Sequence, residues 1–410
     1  MLKELNRFWM RLSKDAIERK IVFLLFFLLF GGYYCIHLFT SQNNGIFPSA
    51  AFNKLSRVVI LIFVIKLWMS DKKWKVTKGL QLFILFCTAY LLRIIYEIFA
   101  GHVYHINTGN FLLYFLSFVV IPFLCLINLN YQNSKIVLIE KAIKVSCLIF
   151  GLLVIYYFKD LFAENVGRIS SVVTRDNEDY ISPLSLASIG SIGMLLSLRE
   201  LIASKNQTVV RVISNIVIIL ICAVPFFLGS SRGAFLALLV TLFVILFMNL
   251  SGNKLSMIIT ISCLLFFSLS VSTYLGSNLF DRVASMESDY ASGSNSAIRV
   301  DIWKASFYQF LSNPLFGNSL ASDFKGYKPH NIFLEVLVAT GIIGFVPFVY
   351  LIYITIRKSF FLLKINASSS YMSLVFIFTL IVGNFSGSIY SASILFVSMA
   401  FILGINTYNR

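Results

Sequence analysis

Three positions have residue types and neighbours that could do chemistry. Arg232 follows Gly229, Ser230 and Ser231 and opens an apolar run. If that run is a helix, its guanidinium sits beside the free N–H groups of a helix start, and both features favour an anion. The other reading is an interfacial anchor whose head snorkels toward lipid headgroups. Arg299 falls three residues after Ser296, a residue with the chemistry of an N-cap, which predicts a second guanidinium near a second helix start. Two such groups suit a pyrophosphate; a structural ion pair with Asp301 is the alternative. His330 lies between Pro329 and Asn331, directly before another apolar run. An ordinary imidazole titrates near pH 6.5, as a general base at neutral pH requires. A lone histidine at a membrane interface can equally be a satisfied polar residue.

Other polar residues carry weaker signals. Arg168, Arg175 and Asn177, with Glu178 and Asp179 beside them, give the segment 159–180 enough polarity to contact sugar hydroxyls or phosphates. Arg93 and Glu97 are four apart in an apolar run, where they can neutralise each other on one helix face. There is no phosphate-cradling Gly-rich loop with Lys and Ser/Thr, no paired-histidine zinc motif and no nucleophile elbow. Energy from nucleotide hydrolysis is therefore not expected. The six cysteines fall within apolar runs and read as small hydrophobes.

The elements that must position these residues are membrane helices. Of 410 residues 58% are hydrophobic and only 13% charged, and the mean hydropathy is +0.84, which water cannot solvate. A spanning helix takes about 20 apolar residues, so the whole chain, 1–410, reads as one polytopic all-α membrane domain. Spans are expected at 21–40, 54–70, 79–100, 111–129, 136–158, 181–202, 209–228, 233–250, 255–275, 331–356, 371–388 and 391–408. The basic first 20 residues and the run after them resemble a signal peptide, but no clean cleavage site follows, so an uncleaved first span is expected. The net charge of +16 is mostly topological: the N-terminus and alternate linkers hold most of the Lys and Arg, which puts both termini in the cytoplasm. A nucleic-acid partner is not expected. The long loop 276–330 then faces the periplasm. Trp303, Phe307, Phe310 and Leu311 form an apolar stripe at helical spacing that stops at Asn313-Pro314, predicting an amphipathic helix at the outer membrane surface.

Three segments in order resemble the O-antigen ligase/polymerase superfamily of bacterial membrane glycosyltransferases. They are Gly229-Ser-Ser-Arg-Gly-Ala234; Ile298-Arg-Val-Asp-Ile-Trp303 leading to Asn313-Pro-Leu-Phe-Gly317; and Pro329-His-Asn-Ile-Phe-Leu334 leading to Gly341-Ile-Ile-Gly344. They span roughly residues 215–350, and the rest agrees in hydropathy alone. The resemblance implies a GT-C-like fold in the inner membrane with its active site facing the periplasm. It also implies transfer of an undecaprenyl-pyrophosphate-linked glycan to an acceptor sugar hydroxyl, without metal, nucleotide or other cofactor. Carried over by position, Arg232 and Arg299 hold the pyrophosphate and His330 deprotonates or orients the acceptor. Trp303, Asn331, Arg168, Arg175 and Asn177 are the expected substrate contacts, and a chain-length regulator is a further partner the resemblance admits.

Members divide by acceptor: a polymerase extends another lipid-linked repeat unit, whereas a ligase caps the lipid A core. The short stretch from Trp303 to His330 and the Pro-His-Asn flanks favour the O-antigen polymerase, with the ligase as the alternative. A flippase or other transporter of lipid-linked oligosaccharides would also be basic with about a dozen spans. Transporters commonly show internal repeats and midplane polar residues, whereas here no repeat is evident and the polar residues gather at one face. A silent scaffold would not need Arg232, Arg299 and His330 on one side.

Overall fold

The computed structural model describes residues 16–42, 49–70, 76–100, 108–163, 172–173, 179–203, 208–248, 276–285, 295–365 and 367–405, with isolated positions between 262 and 274. The elements are α1 (Ala16–Phe39), α2 (Ser49–Ser70), α3 (Lys78–Ala100), α4 (Asn110–Leu126), α5 (Asn133–Ala163), β1 (Val172–Val173), β2 (Asp179–Ile181), α6 (Pro183–Ala203), α7 (Val209–Gly229), α8 (Arg232–Phe247), α9 (Leu279–Ala284), α10 (Asn295–Ser312), α11 (Ile332–Lys364), α12 (Ser370–Ser386) and α13 (Ser393–Gly404).

The twelve-span expectation is met in part. By length and composition α1, α3, α6, α7 and α11 can cross a bilayer, while α4, α8, α12 and α13 are shorter apolar helices. The first half of α5 is crowded with Lys135, Glu140, Lys141 and Lys144, which interrupts its apolar run. The expected span 255–275 lies outside the described residues except at isolated helical positions. Among the described residues one pairing departs from an all-helical chain: β1 and β2 are antiparallel, with Val172 opposite Ile181 and Val173 opposite Asp179.

Aromatic rings fill the centre. Phe86 of α3 packs on Phe348 of α11 with centroids 4.9 Å apart, and Tyr90 on Phe115 of α4 at 4.8 Å. This seam sets α3 against α11, the helix that follows His330.

Helix α11 is broken once. At Gly341 the backbone turns to φ 58° and ψ −158°, a conformation open to glycine and hardly to other residues. The amide groups freed by the break bond outward: Ile342 N donates to Pro314 O (2.8 Å) and Asn318 N to Val338 O (2.7 Å). The contact is so close that a Cβ at Gly341 would lie 2.4 Å from Leu315 O, and one at Gly317 2.4 Å from Val338 O. Arg93 closes this lock. Its guanidinium donates to Ala339 O (2.7 Å), Asn318 O (2.9 Å), Phe316 O (2.9 Å) and Gly317 O (2.8 Å). The expected partnership with Glu97 is present at 4.0 Å, but the carbonyls are closer and more numerous.

The loop helix forms as expected and ends at Ser312, directly before Asn313-Pro314. Its start differs: α10 begins at Asn295, so Ser296 is inside the first turn and is not the cap. Ile302, Ser306 and Gln309 make its inner face. Gln309 grips the chain that follows, donating to Ala321 O (3.2 Å) and accepting from Asp323 N (3.0 Å). Phe307 and Leu311 of the apolar stripe face outward, with Tyr308 beside them.

Candidate active site

Helix ends assemble the site. Ser230 at the end of α7 is left-handed (φ 42°), and its hydroxyl donates back to Phe227 O at 2.7 Å. The chain reverses there, and Ser231 caps α8 by accepting from Ala234 N at 3.4 Å. Arg232 is therefore the first residue of α8, as expected from its place after Gly229-Ser-Ser. Its guanidinium reaches Ser285 Oγ, just beyond α9, at 3.5 Å.

Arg299, in the second turn of α10, donates to Phe385 O at 3.0 Å. That carbonyl belongs to the last turn of α12, whose partial negative charge suits a cation. The Arg299 pKa is lowered by burial and by the neighbouring Arg232 guanidinium. Two like charges held this close favour an anion between them.

His330 sits in the strap between α10 and α11. Trp303, one helical turn past Arg299, donates its indole N–H to Pro329 O at 2.8 Å and thereby fixes the strap to α10. Asn331 caps α11, accepting from Phe333 N (3.0 Å) and Leu334 N (3.1 Å), and its amide donates to Asn384 O of α12 (3.2 Å). Between these anchors His330 takes φ 53°, a left-handed conformation that costs a non-glycine residue about 1–2 kcal/mol. Burial, then Arg299, then Lys328 pull its pKa from 6.5 down to about 4. The imidazole is thus neutral at physiological pH.

Arg232, Arg299 and His330 accordingly come together at one end of the bundle. Trp303 and Asn331 are also there, but their described bonds go to the backbone, so they position His330. Arg168, Arg175 and Asn177 lie outside the described residues.

Two residues were missed by the sequence reading. Lys328 lies over the rings of Tyr390 (4.0 Å) and Phe111 (5.0 Å), and its ammonium bonds the Tyr390 hydroxyl. Burial brings its pKa down to about 8, against the opposing pull of Glu335. Glu335, fully buried in α11, accepts from Tyr90 OH (2.7 Å), Ser388 Oγ (3.0 Å) and Ile389 N (3.1 Å). The weak signal available was a lysine two residues before the histidine and an acid in an otherwise apolar helix. Among the described residues Arg299 and Lys328 therefore act on His330, with Arg232 beside Arg299 and the Glu335 carboxylate set behind Lys328.

Residues 216–349 match the O-antigen ligase family model. The matching segment runs from α7 to the middle of α11, about a third of the chain, and contains Arg232, Arg299, Lys328, His330 and Glu335. The match bears out the resemblance to the O-antigen ligase/polymerase superfamily, whose members are membrane glycosyltransferase-like enzymes acting on lipid-linked glycans. It does not distinguish ligase from polymerase. No curated protein matches the sequence.

Proposed function

We propose that the chain is a surface-polysaccharide polymerase. It transfers a glycan from undecaprenyl pyrophosphate to the sugar hydroxyl of another lipid-linked repeat unit, at the periplasmic face of the inner membrane. The observation that carries this reading is the placing of Arg299 and Lys328 beside a neutral His330, with Arg232 next to Arg299. In the reaction the acceptor oxygen forms a bond to the anomeric carbon while the bond from that carbon to the pyrophosphate oxygen breaks. The hydroxyl proton passes to the imidazole, and the electron pair leaves with the pyrophosphate. Guanidinium groups fixed before the reaction stabilise the charge that develops there without reorganising. A ring whose pKa burial and two cations lower to about 4 is a weak base, and a bound pyrophosphate offsets the part of that depression due to the cations, so donor binding raises its basicity.

The second reading is ligation to lipid A core, the activity that the matching family's description names. A gene deletion complemented with wild type, His330→Ala, Arg232→Ala or Arg299→Ala at matched membrane expression separates the two. Core bearing a single repeat on a lipopolysaccharide gel supports the polymerase. Bare core with accumulated lipid-linked polymer supports the ligase. Alanine variants that restore the full ladder would rule out this site under either name.

A further inference from the structure

The opposite end of the bundle holds a second cationic site. There a cavity of about 660 Å³ lies between α5 and α7, closed at one side by the end of α6 and the turn before α12. Lys141, Lys144, Arg199 and Arg211 line it together with Glu140 and Glu200. The two carboxylates are already engaged. Glu200 bonds Lys144, which also donates to Asn215 Oδ1 at 2.8 Å, and Glu140 pairs with Arg199 at 3.2 Å. Arg199 is held further by Ser370 Oγ (3.0 Å) and Ala367 O (3.1 Å). Four cations against two carboxylates leave two positive charges, and the exposed residues Lys141 and Arg211 stand at the mouth. Arg211 also faces Glu200, whose charge Lys144 already meets.

The wall is apolar where it runs toward the middle of the helices, at Val145, Leu148 and Ile218. On the α5 side of the rim the lining residue Val137 is apolar and exposed too, at 58% accessibility. A water-soluble phosphate would leave that wall and rim unmatched. A phospholipid matches both, with its phosphate among the cations and its chains along the apolar wall. This end also carries the Lys and Arg surplus that marks a cytoplasmic face.

We propose that the groove between α5 and α7 binds the phosphate of an anionic phospholipid, with Lys141 and Arg211 as the residues that recognise it. The site is separate from Arg232 and His330 and independent of the glycosyl-transfer reading.

The test titrates the purified full-length chain in detergent with short-chain phosphatidylglycerol, short-chain phosphatidylcholine or inorganic phosphate, and reads bound lipid by native mass spectrometry and thermal unfolding. Phosphatidylglycerol is expected to saturate and phosphatidylcholine is not. One cation near a membrane surface contributes about 1 kcal/mol, which is about fivefold in affinity. Lys141→Ala with Arg211→Ala should therefore weaken phosphatidylglycerol about 25-fold, and Arg211→Lys should keep most of it. Both substituted residues are exposed, so the fold should survive, as the unliganded unfolding temperature will report. Arg232→Ala, at the far end, should leave this affinity unchanged. Equal binding of the two lipids, or an unweakened double variant, overturns the proposal. Saturation by inorganic phosphate at the lipid's strength overturns the lipid assignment in favour of a soluble phosphate.

Discussion

Replacing Arg93 with methionine keeps an unbranched apolar stem and removes the five donors of the guanidinium. Four carbonyls lose their partner, at Phe316, Gly317, Asn318 and Ala339. The Phe316 bond is exposed and the other three are partly buried, so water can replace the first more readily than the rest. A hydrogen bond from a charged donor contributes about 1.5–3 kcal/mol. Three such bonds give roughly 4.5–9 kcal/mol before relaxation, and bonds sharing one guanidinium do not add fully. A net loss of about 3–5 kcal/mol is expected, the range found when one partner of a buried charged group is removed. Arg93→Lys keeps the charge but not the planar fork, and a single ammonium cannot reach both Ala339 O of α11 and the carbonyls of Phe316, Gly317 and Asn318. It should recover less than half of the loss. Chemical unfolding of the three proteins in detergent measures these differences. A methionine variant within about 0.5 kcal/mol of wild type, the range of ordinary surface changes, would refute the lock, and full rescue by lysine would refute its geometry.

Three further outcomes are expected. Gly341→Ala adds a Cβ 2.4 Å from Leu315 O at φ 58° and should cost more than about 3 kcal/mol in the same unfolding assay. Asn331→Ala removes the cap of α11 and should cost about 1 kcal/mol, with a larger proportional fall in transfer because the tie to Asn384 O goes with it; equal falls would count against a positioning role. The His330 pKa is depressed from 6.5 to about 4, so its contribution to stability is full above pH 6.5 and is lost as pH falls toward 4. The acid limb of kcat/KM, which reports the empty enzyme, should lie near pH 4, and that of kcat should lie higher because bound pyrophosphate offsets Arg299 and Lys328. Lys328→Met should raise the kcat/KM limb, and coincident wild-type limbs near pH 6.5 would show that the cations do not act on the ring.

What the sequence revealed depended on distance along the chain. Arg232 is legible because a Gly-Ser-Ser turn and an apolar run flank it directly, and His330 because Pro329 and Asn331 mark a helix start. The end of α10 could be read from Asn313-Pro314, while a cap at Ser296 sets its start two residues late, because serine and asparagine are both reasonable at a helix entry. The lock around Gly341 has no local signature, since the acceptors of Arg93 lie more than 200 residues away from it. Glu335 was passed over for the same reason: Tyr90 is 245 residues distant, and within its own helix the acid is merely an interruption of an apolar pattern. Lys328 reads as an ordinary loop charge until the rings of Phe111 and Tyr390 are brought beneath it.

Arg93, Arg299, Trp303 and the Asn331 amide all donate to main-chain oxygens, in contacts that join α3, α10, α11, α12 and the strap. Every residue type supplies such an oxygen, so the accepting positions can change identity without breaking the contact. Homologous chains should therefore keep the donors while their acceptors drift. Methods that find neighbours from paired substitutions would be blind to these four sets of contacts.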